Sequence, residues 1–158
     1  MKLGTILSIQ IAPNAIGELT NLEQVEAIEG MGLAGDRYYN RTGTYSSKHD
    51  ESREATFIES EALEALAKDY HVVLNGSESR RNFTTRGVAL NHLVGKEFRI
   101  GEVVFRGIRL CEPCTHLEEV SGKSVRKGLI HRGGLRAQIV KSGRVRVDDE
   151  VESLYESE

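Results

Sequence analysis

The stretch Phe98-Arg99-Ile100-Gly101-Glu102-Val103-Val104-Phe105 decides the fold class. Two short apolar runs flank a two-residue break containing Gly, the signature of a β-hairpin. Residues 106–110 prolong the second arm as far as Cys111. The same texture extends outward on both sides. Sixteen glycines are scattered singly between short apolar alternations in a chain of 158 residues, a pattern of many short strands joined by tight turns. Upstream, Leu3, Thr5, Leu7, Ile9 and Ile11 are predicted to share one face of a first strand, with Ile6 the exception. Residues 22–28 form a second strand candidate that runs into the glycine-rich stretch 30–37. Residues 38–53 hold almost no aliphatic side chains and read as a long surface loop.

Ala55-Thr56-Phe57-Ile58 reads as a strand leading straight into a helix. There Leu63, Leu66, Ala67 and Tyr70 recur at helical spacing, and Ser60 is placed to cap the start. A short strand at 82–85 and a helical turn around 88–93 follow. After the hairpin come helix candidates at 115–120 and 125–130 and strand candidates at 135–140, 145–147 and 151–154, with a turn at Ser142-Gly143. The expectation is one domain over 1–158, mainly β with a few short helices, closed as a barrel or stacked as a sandwich.

Composition narrows the function. Charged residues make up 28% and hydrophobic ones 39%, which describes a globular protein rather than a disordered one. No apolar run approaches the roughly 20 residues that a membrane-spanning helix needs. The N-terminal residues show no signal-peptide pattern, so the expected location is cytoplasmic. With 21 bases against 24 acids, the net charge of −3 argues against a surface devoted to nucleic acid. Eight bases and no acid lie between Ser121 and Val147, however, and that sector favours a small anionic ligand.

Both cysteines sit in Cys111-Glu112-Pro113-Cys114, at the end of the hairpin strand. Pro113 suits the first position of a helix, where Cys114 would face unpaired N–H groups that favour thiolate over thiol. A thiolate serves as nucleophile, persulfide carrier or soft-metal ligand. Other readings of the motif are a thioredoxin-like redox pair, a zinc site using Cys111, Cys114, His116 and His131, and two cysteines packed as small hydrophobes. Ser79-Arg80-Arg81-Asn82 is rich in donors able to grip a phosphate or a heterocycle edge, and it also reads as a solvated basic turn. His131-Arg132-Gly133-Gly134 offers two glycines that allow close backbone approach to a ligand, or a simple turn. Asp36 and Arg37 read as an ion pair bracing a loop.

In their order along the chain, these pieces resemble the MOSC family, the domain named for the C-terminal part of molybdenum-cofactor sulfurases. The matching stretches are 32–37 (GLAGDR), 79–87 (SRRNFTTRG), 94–102 (VGKEFRIGE), 109–114 (RLCEPC), 131–137 (HRGGLRA) and the tail 145–151. The resemblance implies a MOSC-type β-barrel that binds the molybdenum cofactor, a pterin dithiolene bearing a phosphate. It places the metal ligand, or the persulfide carrier, at Cys114. It places contacts to the pterin and its phosphate at Arg80, Arg81, Asn82 and Thr84, and further contacts at Arg132, Gly133 and Gly134.

The implied activity is reduction of N-hydroxylated bases and similar compounds, as in some compact bacterial members; in members similar to the mitochondrial amidoxime-reducing component the matching cysteine ligates molybdenum. A separate electron-donor protein is then required, because this chain has no cysteines for an iron–sulfur cluster. No pyridoxal-phosphate domain is expected either. Two other classes stand beside this one. The first is a non-catalytic carrier that hands molybdenum cofactor or persulfide sulfur to or from a cofactor-biosynthesis protein. The second is a zinc-stabilised barrel binding RNA or another anion, against which the 6% aromatic content counts.

Overall fold

The computed structural model describes residues 1–13, 19–36, 53–75, 78–111, 129 and 132–155. Within them the strands are β1 (Lys2–Ile11), β2 (Thr20–Leu22), β3 (Gln24–Ile28), β4 (Gly32–Leu33), β5 (Ala55–Glu59), β6 (Phe83–Arg86), β7 (Glu97–Ile100), β8 (Val103–Leu110), β9 (Leu135–Lys141), β10 (Gly143–Arg146) and β11 (Glu150–Ser153). Helix α1 (Ser60–Tyr70) lies between β5 and β6, and a short 3-10 helix (Leu90–Leu93) precedes β7.

Strands β11, β7, β8, β9, β5, β6 and β1 follow one another around a sheet that closes through the pairing of β11 with β1. The result is a seven-stranded β-barrel, in which closure leaves no free edge among those strands. Strand β2 adds to β1 outside the closed circle, and β10, β3 and β4 form a separate three-stranded sheet. The hairpin is β7–β8, in register at Ile100 and Val103. Gly101, at φ 59°, occupies the first loop position, where a two-residue hairpin turn of type II′ needs positive φ.

All four phenylalanines of the chain meet inside the barrel, one from each of β5, β6, β7 and β8. Phe57 stacks on Phe83 with ring centroids 4.9 Å apart, and Phe98 stacks on Phe105 at 5.6 Å. Phe57 meets Phe105 edge-on at 5.3 Å. Ile6, Ile9, Leu90, Leu93, Ile100, Leu135 and Ile139 fill the space around them. Val25, Ala27, Leu33 and Val145 bring the three-stranded sheet into the same core.

Several local expectations need correction. In β1 the buried apolar residues are Ile6, Ile9 and Ile11, whereas Leu7 is 43% exposed. A bulge between Ile6 and Ser8 lengthens the step between inward residues from two to three, Ile6 to Ile9, so the strand changes face there. The stretch 22–28 is not one strand. It divides at Glu23 into β2 and β3, which belong to different sheets. The turn expected at Ser142-Gly143 lies between strands of different sheets: β9 pairs with β8 and β5, while β10 pairs with β3.

Ser60 does not cap α1. Strand β5 runs directly into the helix, Glu59 takes the capping position without a side-chain bond, and the Ser60 hydroxyl donates to Glu61 at 3.2 Å. The helix buries Ala62 and Leu66, with Leu63 partly covered and Tyr70 44% exposed. Leu74 and Leu129 complete this small outer cluster. The loop expected at 38–53 and the helices expected at 115–120 and 125–130 lie outside the described residues, apart from Arg53 and the helical Leu129.

Candidate functional site

Strands β5 and β6 run parallel, with Phe57 beside Phe83. Parallel neighbours need a crossover connection, and α1 with the chain after it supplies one. The return stroke delivers Ser79–Asn82 to the start of β6 on the outside of the barrel. Because side chains alternate along a strand, Phe83 enters the core while Asn82 and Thr84 face outward.

Asn82 is 4% exposed and uses its entire amide. Its Oδ1 accepts from Thr56 N–H and from Thr56 Oγ1, both at 3.0 Å. Its Nδ2 donates to Gln10 O at 3.1 Å and to Asp36 Oδ1 at 3.4 Å. Its backbone N–H donates to Thr56 Oγ1, and its carbonyl accepts from Gln10 N at 2.7 Å. Asn82 therefore ties β1, β5 and the 32–36 turn together. Its amide has no capacity left for a ligand in this arrangement.

Asp36 is 1% exposed and also accepts Ala12 N–H at 2.8 Å, so its carboxylate braces the chain after β1. Arg37, its expected partner, lies outside the described residues. Arg81 is 7% exposed. Its Nε donates to Gly133 O at 2.8 Å, its Nη1 to Ser79 O at 3.3 Å and its Nη2 to Cys111 O at 3.4 Å. All three acceptors are backbone carbonyls. Arg80, half-buried, holds a left-handed φ of 62°, a conformation that costs a non-glycine residue about 1–3 kcal/mol. Thr84 is 5% exposed, and its Oγ1 is buried without a hydrogen-bond partner.

The Arg132–Gly134 turn stands against the same region. Arg132 is exposed and its N–H donates to Leu129 O at 2.8 Å. Gly134 has φ 113°, and a Cβ there would lie 1.9 Å from Phe57 O. The glycine thus serves close approach of the turn to β5, a packing reason that the sequence did not show. Gly134 O accepts Cys111 N–H at 2.7 Å. Cys111 is a buried free thiol. Cys114, His116 and His131 lie outside the described residues. Among the described ones, no group of three or more His, Cys, Asp or Glu side chains gathers as a metal site.

The acid-free sector does not form one face. Arg136 lies on β9 in register with Thr56 and Arg109, whereas Arg144 and Arg146 belong to the three-stranded sheet, where Arg144 pairs with Glu26 at 2.6 Å. A depression lined by Arg99, Gly101, Glu102, Lys141, Glu150 and Glu152 lies at the opposite end of β8 from Cys111. Two of its three carboxylates are engaged, Glu152 by Arg99 and Glu150 by Lys2.

Comparison with known proteins now bears on this arrangement. The model of the MOSC domain matches residues 36–152. The chain belongs to the MOSC domain family. Similar solved structures include the YuaD protein from Bacillus subtilis, with a TM-score of 0.80 at 15% identity, covering 94% of both chains. YiiM from Geobacillus stearothermophilus follows with a TM-score of 0.71 at 12% identity, covering 96% of this chain and 75% of that one. YiiM from Escherichia coli gives 0.68 at 16% identity, covering 97% and 71%. At such identities these structures establish the shared barrel. No curated protein matches the sequence.

MOSC domains are associated with the molybdenum cofactor, and the residues of this one fit such a group. A buried guanidinium satisfied by neutral carbonyls leaves positive potential beside the site. The orphan Thr84 hydroxyl adds a donor and acceptor in the same outer layer. What sequence reading missed in this MOSC domain is the supporting shell of Gln10 and Thr56. They reach Asn82 from 72 and 26 residues away, so no local pattern marks them. Glu59, at the end of β5, is also new. It accepts Leu90 N–H at 3.3 Å, and burial, with repulsion from Glu61, holds its carboxyl above the usual range.

Proposed function

We propose that this MOSC domain binds the molybdenum cofactor through the Cys114 thiolate and reduces N-hydroxylated compounds. Arg80, Thr84 and Arg132 would line the pterin and its phosphate. The reaction, R–NHOH + 2e⁻ + 2H⁺ → R–NH₂ + H₂O, draws its electrons from a separate donor protein. The cofactor, when bound, supplies the two-electron chemistry. The protein's own residues supply an anion-favouring pocket and a soft sulfur ligand.

One observation carries this reading. The cationic Ser79–Asn82 stretch is packed against Cys111 and Gly133, the two ends of the chain segment in which Cys114 lies. The test is elemental analysis of protein produced in a host that makes the cofactor, beside the Cys114→Ala variant. Near-stoichiometric molybdenum lost in the variant, together with turnover of a hydroxylaminopurine by the loaded protein, supports the reading. Bound molybdenum without turnover across several N-hydroxylated bases would favour a carrier of cofactor or sulfur. Zinc without molybdenum would overturn it.

A further inference from the structure

We propose that Arg81 is a positioning residue, acting on the site by clamping backbone rather than by touching the cofactor. The part of this inference that concerns molybdenum rests on the function proposed above. The clamp itself does not. The last ladder pair between β8 and β9 is Leu110 with Leu135. Beyond it, among the described residues, the two chains that lead into and out of the segment containing Cys114 are joined by one backbone bond, Cys111 N–H to Gly134 O. Arg81 adds two more bonds at that junction, to Cys111 O and to Gly133 O, and ties both to Ser79 O.

Arg81 is itself held on both sides. Its N–H donates to Ser79 Oγ at 3.2 Å, and the next residue is the saturated Asn82. The planar guanidinium fork is what allows one side chain to reach three carbonyls in different directions. A lysine carries the same charge but is a compact point donor on a flexible stem, and it cannot reproduce that span. A direct contact to an anionic cofactor would need the charge. A clamp needs the fork. The two roles therefore separate at Arg81→Lys.

The experiment uses the full chain and compares wild type, Arg81→Lys and Arg81→Ala, together with a core variant, Phe98→Leu, that lowers global stability without touching the junction. Amide hydrogen exchange by NMR is followed at Cys111 and at Phe105, and molybdenum content is measured after expression in a cofactor-producing host. The clamp predicts that Cys111 N–H exchanges about tenfold faster in both Arg81 variants while Phe105 stays protected. It also predicts that Lys, although it keeps the charge, recovers only a minor part of the molybdenum that Ala loses. Phe98→Leu should lose neither the Cys111 protection nor the metal. Wild-type exchange at Cys111 in Arg81→Lys, or molybdenum retained by Lys and lost by Ala, overturns the proposal. If Arg81→Ala does not fold, Arg81→Lys carries the test. A wild-type protein that binds no molybdenum would defeat the proposed function, while the exchange measurement would still decide the clamp.

Discussion

The inner and outer faces of the β5–β6 pair do opposite work with neighbouring residues. Inside, Phe57 stacks on Phe83, and both are fully buried in an apolar cluster. Outside, one residue away on each chain, Thr56 and Asn82 exchange hydrogen bonds within a polar network that includes Gln10 and Asp36. Apolar packing is non-directional and tolerates substitutions that conserve volume. The outer network is directional, and each buried donor or acceptor needs its particular partner. The inner face thus sets stability, and the outer face fixes the geometry of the Ser79–Asn82 stretch.

The largest expected effect tests the inner half of that contrast. Phe57→Ala should cost about 4 kcal/mol in urea or thermal unfolding, yet the fraction that remains folded should keep its molybdenum. A comparable test lies on β1. Ile6→Ala should cost about 3 kcal/mol and Leu7→Ala no more than about 0.5 kcal/mol, since the bulge turns Ile6 inward and Leu7 outward. A larger loss at Leu7 than at Ile6 would mean that the strand does not change face there.

Asn82→Ala should be milder for stability, about 2 kcal/mol, but should lower molybdenum content more than Phe57→Ala does. Asn82→Asp should not rescue it, because the lost amide donor faces Gln10 O and the Asp36 carboxylate. If the metal falls in proportion to stability in all these variants, the division of labour between the faces is wrong.

The smallest effect is a pH slope at the rim. Burial, the largest cause, raises the Glu59 carboxyl above its ordinary 4.5 despite the opposing hydrogen bond from Leu90 N–H. Between the ordinary and the raised value the folded chain keeps a proton that the unfolded chain has released, so stability falls as pH rises through that window. Glu59→Gln should flatten this slope and leave Tm at pH 7 equal to or slightly above wild type. A steeper slope in the variant would contradict the assignment. Glu61 behaves oppositely: burial pushes it up, but the Gly87 N–H, the Ser60 hydroxyl and Arg86 outweigh this and hold it below the usual range.

Local pattern was enough for the hairpin at Gly101, the β5–α1 succession and the β-rich class, because alternation, turn chemistry and helical spacing are properties of neighbouring residues. The stretch Ser79–Asn82 was legible as a cluster of donors for the same reason, since they are contiguous. The family followed from the order of several such stretches, and the match over 36–152 agrees with it.

What sequence alone determined, then, is which residues alternate, where the chain turns and which polar groups cluster along it. Only the tertiary structure decided that β9 and β10 part into different sheets, that the Ile6–Ser8 bulge reverses a strand face, and that Gly134 is a glycine because β5 passes beneath it. It also decided that Asn82 and Arg81, adjacent and equally polar, are spent on backbone and side-chain partners up to 72 residues away. Those outcomes depend on which distant groups closure of the barrel brings within about 3 Å of one another, and hydrogen bonds act only over that range.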